Sequence, residues 1–361
     1  MTLELTRTAR GLTLAALAKQ TGISAQTISR WERRESDPKP QQVRLLAEAL
    51  DVPIKALSRE MYTGSMGLST FYHRRLKTGP QKPVRAFESA CVLEAAALRD
   101  LLNIADFDPG PHAILPGMID RHEFDAERAA NMLRLSLQLP RGPIHDLVAT
   151  VERAGCIVIH RQFGVPQMRA LYQQAPGLPP IIWVDSSMPF DRVRFSIAHE
   201  LGHIVLHDAR PVDYKDAEDE ANLFAGAFLM PTADFRAECP ASVRLDAFLG
   251  LKPRWKCSVA AMVRAARRVG RVTQQQYRNL HIGISRRGWN KREPVDIPSE
   301  NPSLLARVTR EAMTLLGVDA IGLADQLGVS DRTVKSWMQP FPGHAPHWTD
   351  EAPRLRLRTD L

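Results

Sequence analysis

Long apolar runs are missing from this chain of 361 residues. No uninterrupted stretch approaches the roughly 20 residues needed to cross a bilayer, and the opening MTLELTRTAR has no signal-peptide core. These absences predict a cytoplasmic protein that makes no use of a membrane. Cysteine is scarce: Cys91, Cys156, Cys239 and Cys257 stand singly, with no C-x-x-C pair. That excludes a disulfide scaffold and predicts free thiols. No serine or cysteine stands in a nucleophile constellation. What remains, 44% hydrophobic and 24% charged residues, describes a globular chain long enough for two or three domains.

Acidic residues are absent from one segment altogether. Residues 252–292 carry twelve basic side chains and no Asp or Glu, whereas the net charge of the whole chain is only +8. The rest of the chain is therefore slightly acidic, and the basicity is regional. A net positive charge alone admits nucleic acid, an anionic surface or an acidic protein as partner.

Residues 1–62 read as an all-α helix-turn-helix unit: Thr13 and Ser24 stand at cap positions, Gly22 interrupts, and Leu17, Ala18, Ile23, Ile28 and Trp31 fall at core spacing. Residues 63–119 form a looser bridge with one helix over 86–102 and a Pro/Gly-rich connector over 108–117. Residues 120–240 read as an α+β domain. Three β-rich runs over 156–160, 168–172 and 181–184 predict a small, mostly antiparallel sheet, with helices following over 192–207 and 217–229. A basic helical segment, 241–300, and a C-terminal helical region, 301–361, complete the chain. The fold class expected is thus multidomain and mainly α around a central α+β domain.

The C-terminal region hides a repeat. Aligning residues 12–32 with 318–338 gives seven identities in 21, among them Leu17 with Leu323, Gly22 with Gly328, Ser24 with Ser330 and Trp31 with Trp337. These are turn, cap and core positions, so a second, degenerate helix-turn-helix is expected there.

The densest chemistry is His199-Glu200-Leu201-Gly202-His203. On a helix the two histidines lie one turn apart on one face, where both imidazoles reach one zinc ion, and Glu200 projects toward a metal-bound water as general base. A third ligand is expected from the following helix. There Glu218, Ala221, Asn222 and Ala225 share a face of mostly small residues that permits close approach. Glu218 is the carboxylate on that face; Glu220, beside Phe224 and Ala227, is the alternative. Leu206 and Ala209 occupy the places where a metzincin needs Gly and His, which excludes that class. His207 and Asn222 are candidates for orienting a ligand or touching substrate.

Residues 194–203 (RFSIAHELGH), His207 and residues 218–231 (EDEANLFAGAFLMP) resemble the signature blocks of the ImmA/IrrE family of zinc metallopeptidases over roughly residues 120–235. The resemblance implies a zincin-like, gluzincin-like endopeptidase with His199, His203 and Glu218 as ligands and Glu200 as base. It further implies a protein substrate, a helix-turn-helix repressor cleaved in response to stress or DNA damage, with consequences for stress or defence regulation. The competing class is a non-proteolytic regulator or antitoxin whose zinc domain only senses a ligand.

Residues 13–32 resemble the Xre/Cro-type repressor motif. Its second helix would lie in the major groove of an operator with Ala25, Gln26, Thr27, Ser29 and Arg30 toward base edges, offering Gln26 to adenine, Arg30 to guanine or phosphate, and Thr27 to phosphate or a thymine methyl. In the basic segment, Arg264, Arg267, Arg268 and Arg271, interleaved with Trp255, Tyr277 and Trp289, suit a single-stranded nucleic-acid sensor. The alternative is the solvated face of an amphipathic helix built on Val259, Met262, Val263, Ala266 and Val269. Cys257 lies in this segment, where a thiol reaching an open zinc position would silence it. Oligomeric state is not legible.

Overall fold

The computed structural model describes residues 2–58, 81–108, 125–165, 168–175, 177–207 and 213–341. The borders expected at 62/63 and 119/120, most of the expected Pro/Gly connector, Ala209 and residues 342–361 lie outside these. Among the described residues no helix is long and apolar enough to cross a membrane.

The N-terminal unit contains α1 (Leu3–Ala9), α2 (Leu14–Thr21), α3 (Ala25–Glu32), α4 (Pro40–Ala49) and α5 (Ile54–Ser58). Capping sets the ends of the two central helices: Thr13 Oγ1 accepts the Ala16 N–H and Ser24 Oγ accepts the Thr27 N–H. Between them Gly22 adopts φ 70°, a left-handed turn that glycine enters without strain. Leu17, Ile28 and Trp31 are buried with Leu3, Leu46 and Leu57, while Ala18 and Ile23 pack against them half-buried.

The next elements are α6 (Gln81–Ile104), α7 (Ala126–Ser136), α8 (Leu147–Arg153), β1 (Ile157–Arg161), β2 (Ala170–Gln173), β3 (Ile181–Asp185), α9 (Phe190–His207) and α10 (Tyr214–Leu229). The sheet runs in the order β1-β3-β2. β1 pairs with β3 in parallel, Ile157 opposite Ile181, and β2 pairs with β3 antiparallel, Tyr172 opposite Ile182. The sheet is therefore mixed, where the sequence predicts a mostly antiparallel one. The reason is that β3 enters between the two earlier strands. All three strands are apolar on both faces, so no in–out alternation in the sequence reports the order of pairing.

Both faces are covered. Val158, Tyr172, Ile182 and Val184 point into a core shared with α7, α8, α9 and α10. Ile157, Ile159, Leu171 and Trp183 point into a second core with α6. The bridge helix thus has a definite place: its Val84, Phe87, Cys91, Leu98 and Leu101 back the sheet on the face opposite α9.

The chain continues through α11 (Thr232–Glu238), α12 (Leu245–Trp255), α13 (Val259–Arg268), α14 (Gln274–Arg286), α15 (Leu304–Leu316), α16 (Ala320–Leu327) and α17 (Asp331–Trp337). Phe235, Phe248, Trp255, Val259, Met262, Val263 and Ile284 lie in the same core as α9 and α10, so the basic segment is built into the central unit. Two buried ionic groups fix it there. Lys252 Nζ pairs with Asp191 at 2.9 Å and Glu293 at 2.7 Å. Arg194 pairs with Glu300, whose other oxygen accepts the Leu147 N–H at 2.7 Å. The repeat folds as two short helices, with Gly328 at φ 61° and Ser330 Oγ accepting the Thr333 N–H. Its Leu323, Leu327, Val334 and Trp337 are buried in the core behind the sheet.

Glu152 ties α8 to the start of α15: its Oε2 accepts the N–H groups of Ser303 at 3.0 Å and Leu304 at 3.1 Å. Burial pushes this carboxyl from the ordinary 4.5 up to about 7, against the downward pull of those donors. A carboxyl raised in the folded state binds a proton that the unfolded chain has released, so its contribution to stability is lost as pH rises through that window. We expect the stability of the wild type relative to Glu152→Gln, measured by urea unfolding, to fall between about pH 5 and pH 8. A difference that is flat with pH would refute this.

Candidate metal centre

α9 and α10 lie against each other where Gly202 faces Ala221. A Cβ at position 202 would stand 3.2 Å from the Ala221 Cα and 3.1 Å from the Phe224 ring, so only glycine fits without displacing the partner helix. This approach brings the histidine face of α9 to the carboxylate face of α10.

The Nε2 atoms of His199 and His203 are 3.1 Å apart. The Glu218 carboxylate stands 3.4 Å from His203 Nε2 and 3.7 Å from His199 Nε2. Among the described residues these three form a group able to hold a metal, with donor atoms all within 4.8 Å of one another, and no cysteine joins it. Four-coordinate ligands at about 2.0–2.1 Å from an ion stand about 3.3–3.4 Å apart, a spacing that the three separations bracket.

A hydrogen-bonded chain supports that fit. His207 Nε2 lies 2.8 Å from Glu220 Oε2, and His207 Nδ1 lies 3.0 Å from His203 Nδ1. The carboxylate can only accept, so His207 Nε2 carries the proton. With neutral rings, His207 Nδ1 then accepts from His203 Nδ1–H, and His203 Nε2 presents a lone pair to the group of three. Glu220 is thus placed on His207, not among the three donors, and His207 on the far side of His203.

Glu200 is buried, and its Oε2 accepts the Tyr172 backbone N–H at 3.1 Å. That N–H belongs to β2, an edge strand, and points away from β3. The Tyr172 ring also stacks near His203, with centroids 6.5 Å apart. Sequence reasoning missed this anchor because a backbone donor leaves no mark in residue identity. Asn222 is half-buried on α10, one turn beyond Glu218, and lines a cleft with Ser196 and Arg264.

The other expected site residues are scattered. Gln26 and Arg30 are exposed on α3, with Arg30 3.8 Å from Glu35. Thr27 Oγ1 is 2.8 Å from Ser24 Oγ, and Ser29 is half-buried. In the basic segment Arg267 donates to Gln274, and Arg271 donates to the Arg236 carbonyl. Arg268 requires a correction. Its guanidinium donates to the Met230 carbonyl at 2.6 Å and the Gly226 carbonyl at 3.3 Å, so it braces α10 and does not face a nucleic acid. Cys257 also departs from expectation: it is buried beside Arg194 and Lys252, and burial pushes its thiol up to about 12. It does not reach the group of three.

A helix bearing paired histidines, a second helix bearing a carboxylate and a small sheet beside them define a zincin-like domain. Family comparison gives the same class: residues 151–267 match the IrrE N-terminal-like domain of the M78 peptidases, and residues 3–57 match the helix-turn-helix family. The chain joins a helix-turn-helix to an IrrE-like peptidase domain. The match runs past the expected border at 240 and takes in α13. No curated protein matches the chain.

The Gly202 contact is directly testable. Gly202→Val is expected to cost about 1–3 kcal/mol in equilibrium unfolding by overpacking, and to abolish metal binding measured against a chromophoric chelator. Retained wild-type metal affinity would show that the close approach is not what assembles the donors.

Proposed function

We propose that the chain is a zinc-dependent endopeptidase that cleaves a DNA-binding regulator, with its helix-turn-helix bringing it to DNA. The observation that carries this reading is the convergence of His199, His203 and Glu218 beside a buried Glu200 that is held from the opposite side by a strand N–H. A structural metal site needs no such base.

Bound zinc would supply Lewis acidity toward the scissile carbonyl and a readily deprotonated water. His199, His203 and Glu218 would hold it. Glu220, through His207, fixes the ring orientation and tautomer of His203. Glu200, anchored through Oε2 on the Tyr172 N–H, takes a proton and returns it to the departing amine.

The resemblance to ImmA/IrrE proteins supports a helix-turn-helix repressor as substrate, cleaved under stress or DNA damage, and cytoplasmic action. Gln26 and Arg30 are the exposed groups of α3 suited to operator contact.

The test incubates the zinc-loaded chain with the repressor encoded beside its gene. Wild type is expected to cut it once, and Glu200→Gln to slow cutting by about 10²–10⁴-fold with metal content unchanged. Equal cutting by both, or none by the wild type, would reject the peptidase reading in favour of a ligand-sensing regulator. In metal titrations Glu218→Gln is expected to lose the ion, and Glu220→Gln to weaken binding by about 10–100-fold. The reverse ranking would exchange the two roles.

A further inference from the structure

The internal repeat reaches further in the structure than in its identities. In the same register, Gly11 and Gly317 turn the chain after α1 and α15 with φ 67° and 64°. Thr13 and Asp319 cap α2 and α16 by accepting the equivalent N–H groups of Ala16 and Gly322, and Ser24 and Ser330 cap α3 and α17. The chain therefore holds two three-helix units of one design, α1 to α3 and α15 to α17. Each has a helix, α3 or α17, in the place of a recognition helix.

Their turns face different surroundings. Gly22 is exposed, and a Cβ built on it meets nothing within 4 Å among the described residues. Gly328 is buried, and a Cβ on it would stand 3.3 Å from the Ala56 nitrogen and 3.4 Å from the Ala56 Cα in α5. The second turn is thus closed by a helix of the N-terminal domain. That domain is also held through α1, which packs along α6, while Gln26 and Arg30 of α3 stay exposed.

A recognition helix enters the major groove by its N-terminal residues. The groove is about 12 Å wide and a helix with its side chains about 10–12 Å across, so it admits one helix. With the α5 backbone against the turn that leads into α17, a duplex reaching the head of α17 would have to admit two.

Charge points the same way. Where the first unit has Thr13, Lys19 and Ala25, the second has Asp319, Asp325 and Asp331. Residues 13–32 carry Lys19 and Arg30 against Glu32, a net positive charge of one, whereas residues 319–338 carry Arg332 and Lys335 against three aspartates, a net negative charge of one. Lys335 is also paired with Asp331 at 2.7 Å. Phosphate attraction, which supplies the sequence-independent part of DNA affinity, favours the first unit.

We propose that the second helix-turn-helix is a docking module: its turn receives α5 of the N-terminal domain, its Trp337 fastens it to Glu94 of α6, and each chain reads DNA through α3 alone. The proposal rests on the DNA-reading role of the N-terminal domain and adds that this reading head is fixed to the central unit by the second copy.

The test uses the full chain. A random duplex library is selected on wild type, and binding to the enriched sequence is followed by fluorescence anisotropy. The double variant Gln26→Ala, Arg30→Ala is expected to weaken that binding about tenfold or more, and the double variant Arg332→Ala, Lys335→Ala to leave both affinity and enriched sequence unchanged. A sequence element that disappears with Arg332→Ala, Lys335→Ala gives α17 a reading role and overturns the inference while DNA reading stands. Absence of any enrichment by wild type removes the DNA-reading role and the inference together. The dock is tested by Gly22→Asn and Gly328→Asn, because asparagine tolerates the left-handed conformation and the two positions then differ in what faces them. Hydrogen exchange over α5 is expected to quicken more in Gly328→Asn than in Gly22→Asn. An equal or smaller change in Gly328→Asn overturns the docking.

Discussion

The close contact of Gly202 with Ala221 is the constraint on which the site depends. Helices with ordinary side chains at their crossing keep axes about 8–10 Å apart. Here a glycine faces an alanine, and even one added carbon would stand 3.2 Å from the Ala221 backbone. The contact falls within a turn of His199, His203 and Glu218, so the distance between the helices sets the distance between the donors. The rest of the central unit braces this pair. The sheet packs on α9 through Tyr172, Ile182 and Val184, and α13 packs beside α10, where Arg268 reaches back to the Gly226 and Met230 carbonyls.

Charge is the second organising force, and much of it is internal. The acid-free stretch from 252 to 292 looks like a surface for an anionic partner, yet three of its cations are committed to groups elsewhere in the chain. Lys252 is buried between Asp191 and Glu293, Arg254 pairs with Glu238 at 2.6 Å, and Lys256 donates to the His145 carbonyl at 2.6 Å. Their partners lie outside the stretch, which is why a local count overstates the free charge. Breaking a buried pair such as Lys252 with Glu293 by removing one partner leaves an uncompensated ion, whereas the intact pair adds little net stability. Such pairs specify which segments meet, and here they attach the C-terminal half to the first turn of α9.

The sequence makes legible what depends on one short spacing. Histidines four apart on a helix must share a face, and Glu218 with Ala221 must share another, so the group of three and the neighbouring Glu200 can be placed from two stretches of text. The caps at Thr13 and Ser24 and the glycine between them are local in the same way. Sheet order is different: Ile157, Ile181 and Leu171 are all buried, and burial alone does not say which strand lies in the middle. The cleft is less legible still, because Arg169, Arg192, Arg264 and Trp289 come from distant segments that meet only after the cores form. The Glu200 anchor at Tyr172 is a main-chain group, which every residue but proline supplies.

The two helix-turn-helix copies show how equivalent positions acquire different physical roles. In the first, Gln26 and Arg30 leave α3 exposed, and Trp31 closes a core confined to the N-terminal helices. In the second, Trp337 instead enters the core behind the sheet and donates its indole N–H to Glu94 at 2.6 Å. Glu94 also pairs with Arg161 at the end of β1, and the Arg161 guanidinium lies over the Trp183 ring of β3 at 5.7 Å. The turn is covered as well: a Cβ on Gly328 would stand 3.3 Å from the Ala56 backbone of α5. A turn pressed against the first domain and a tryptophan bonded into the central unit leave the second copy holding the parts of the chain together. The shared motif secures the shared fold of helix, turn and helix, while the partners of Trp31 and Trp337 decide what each copy does with it.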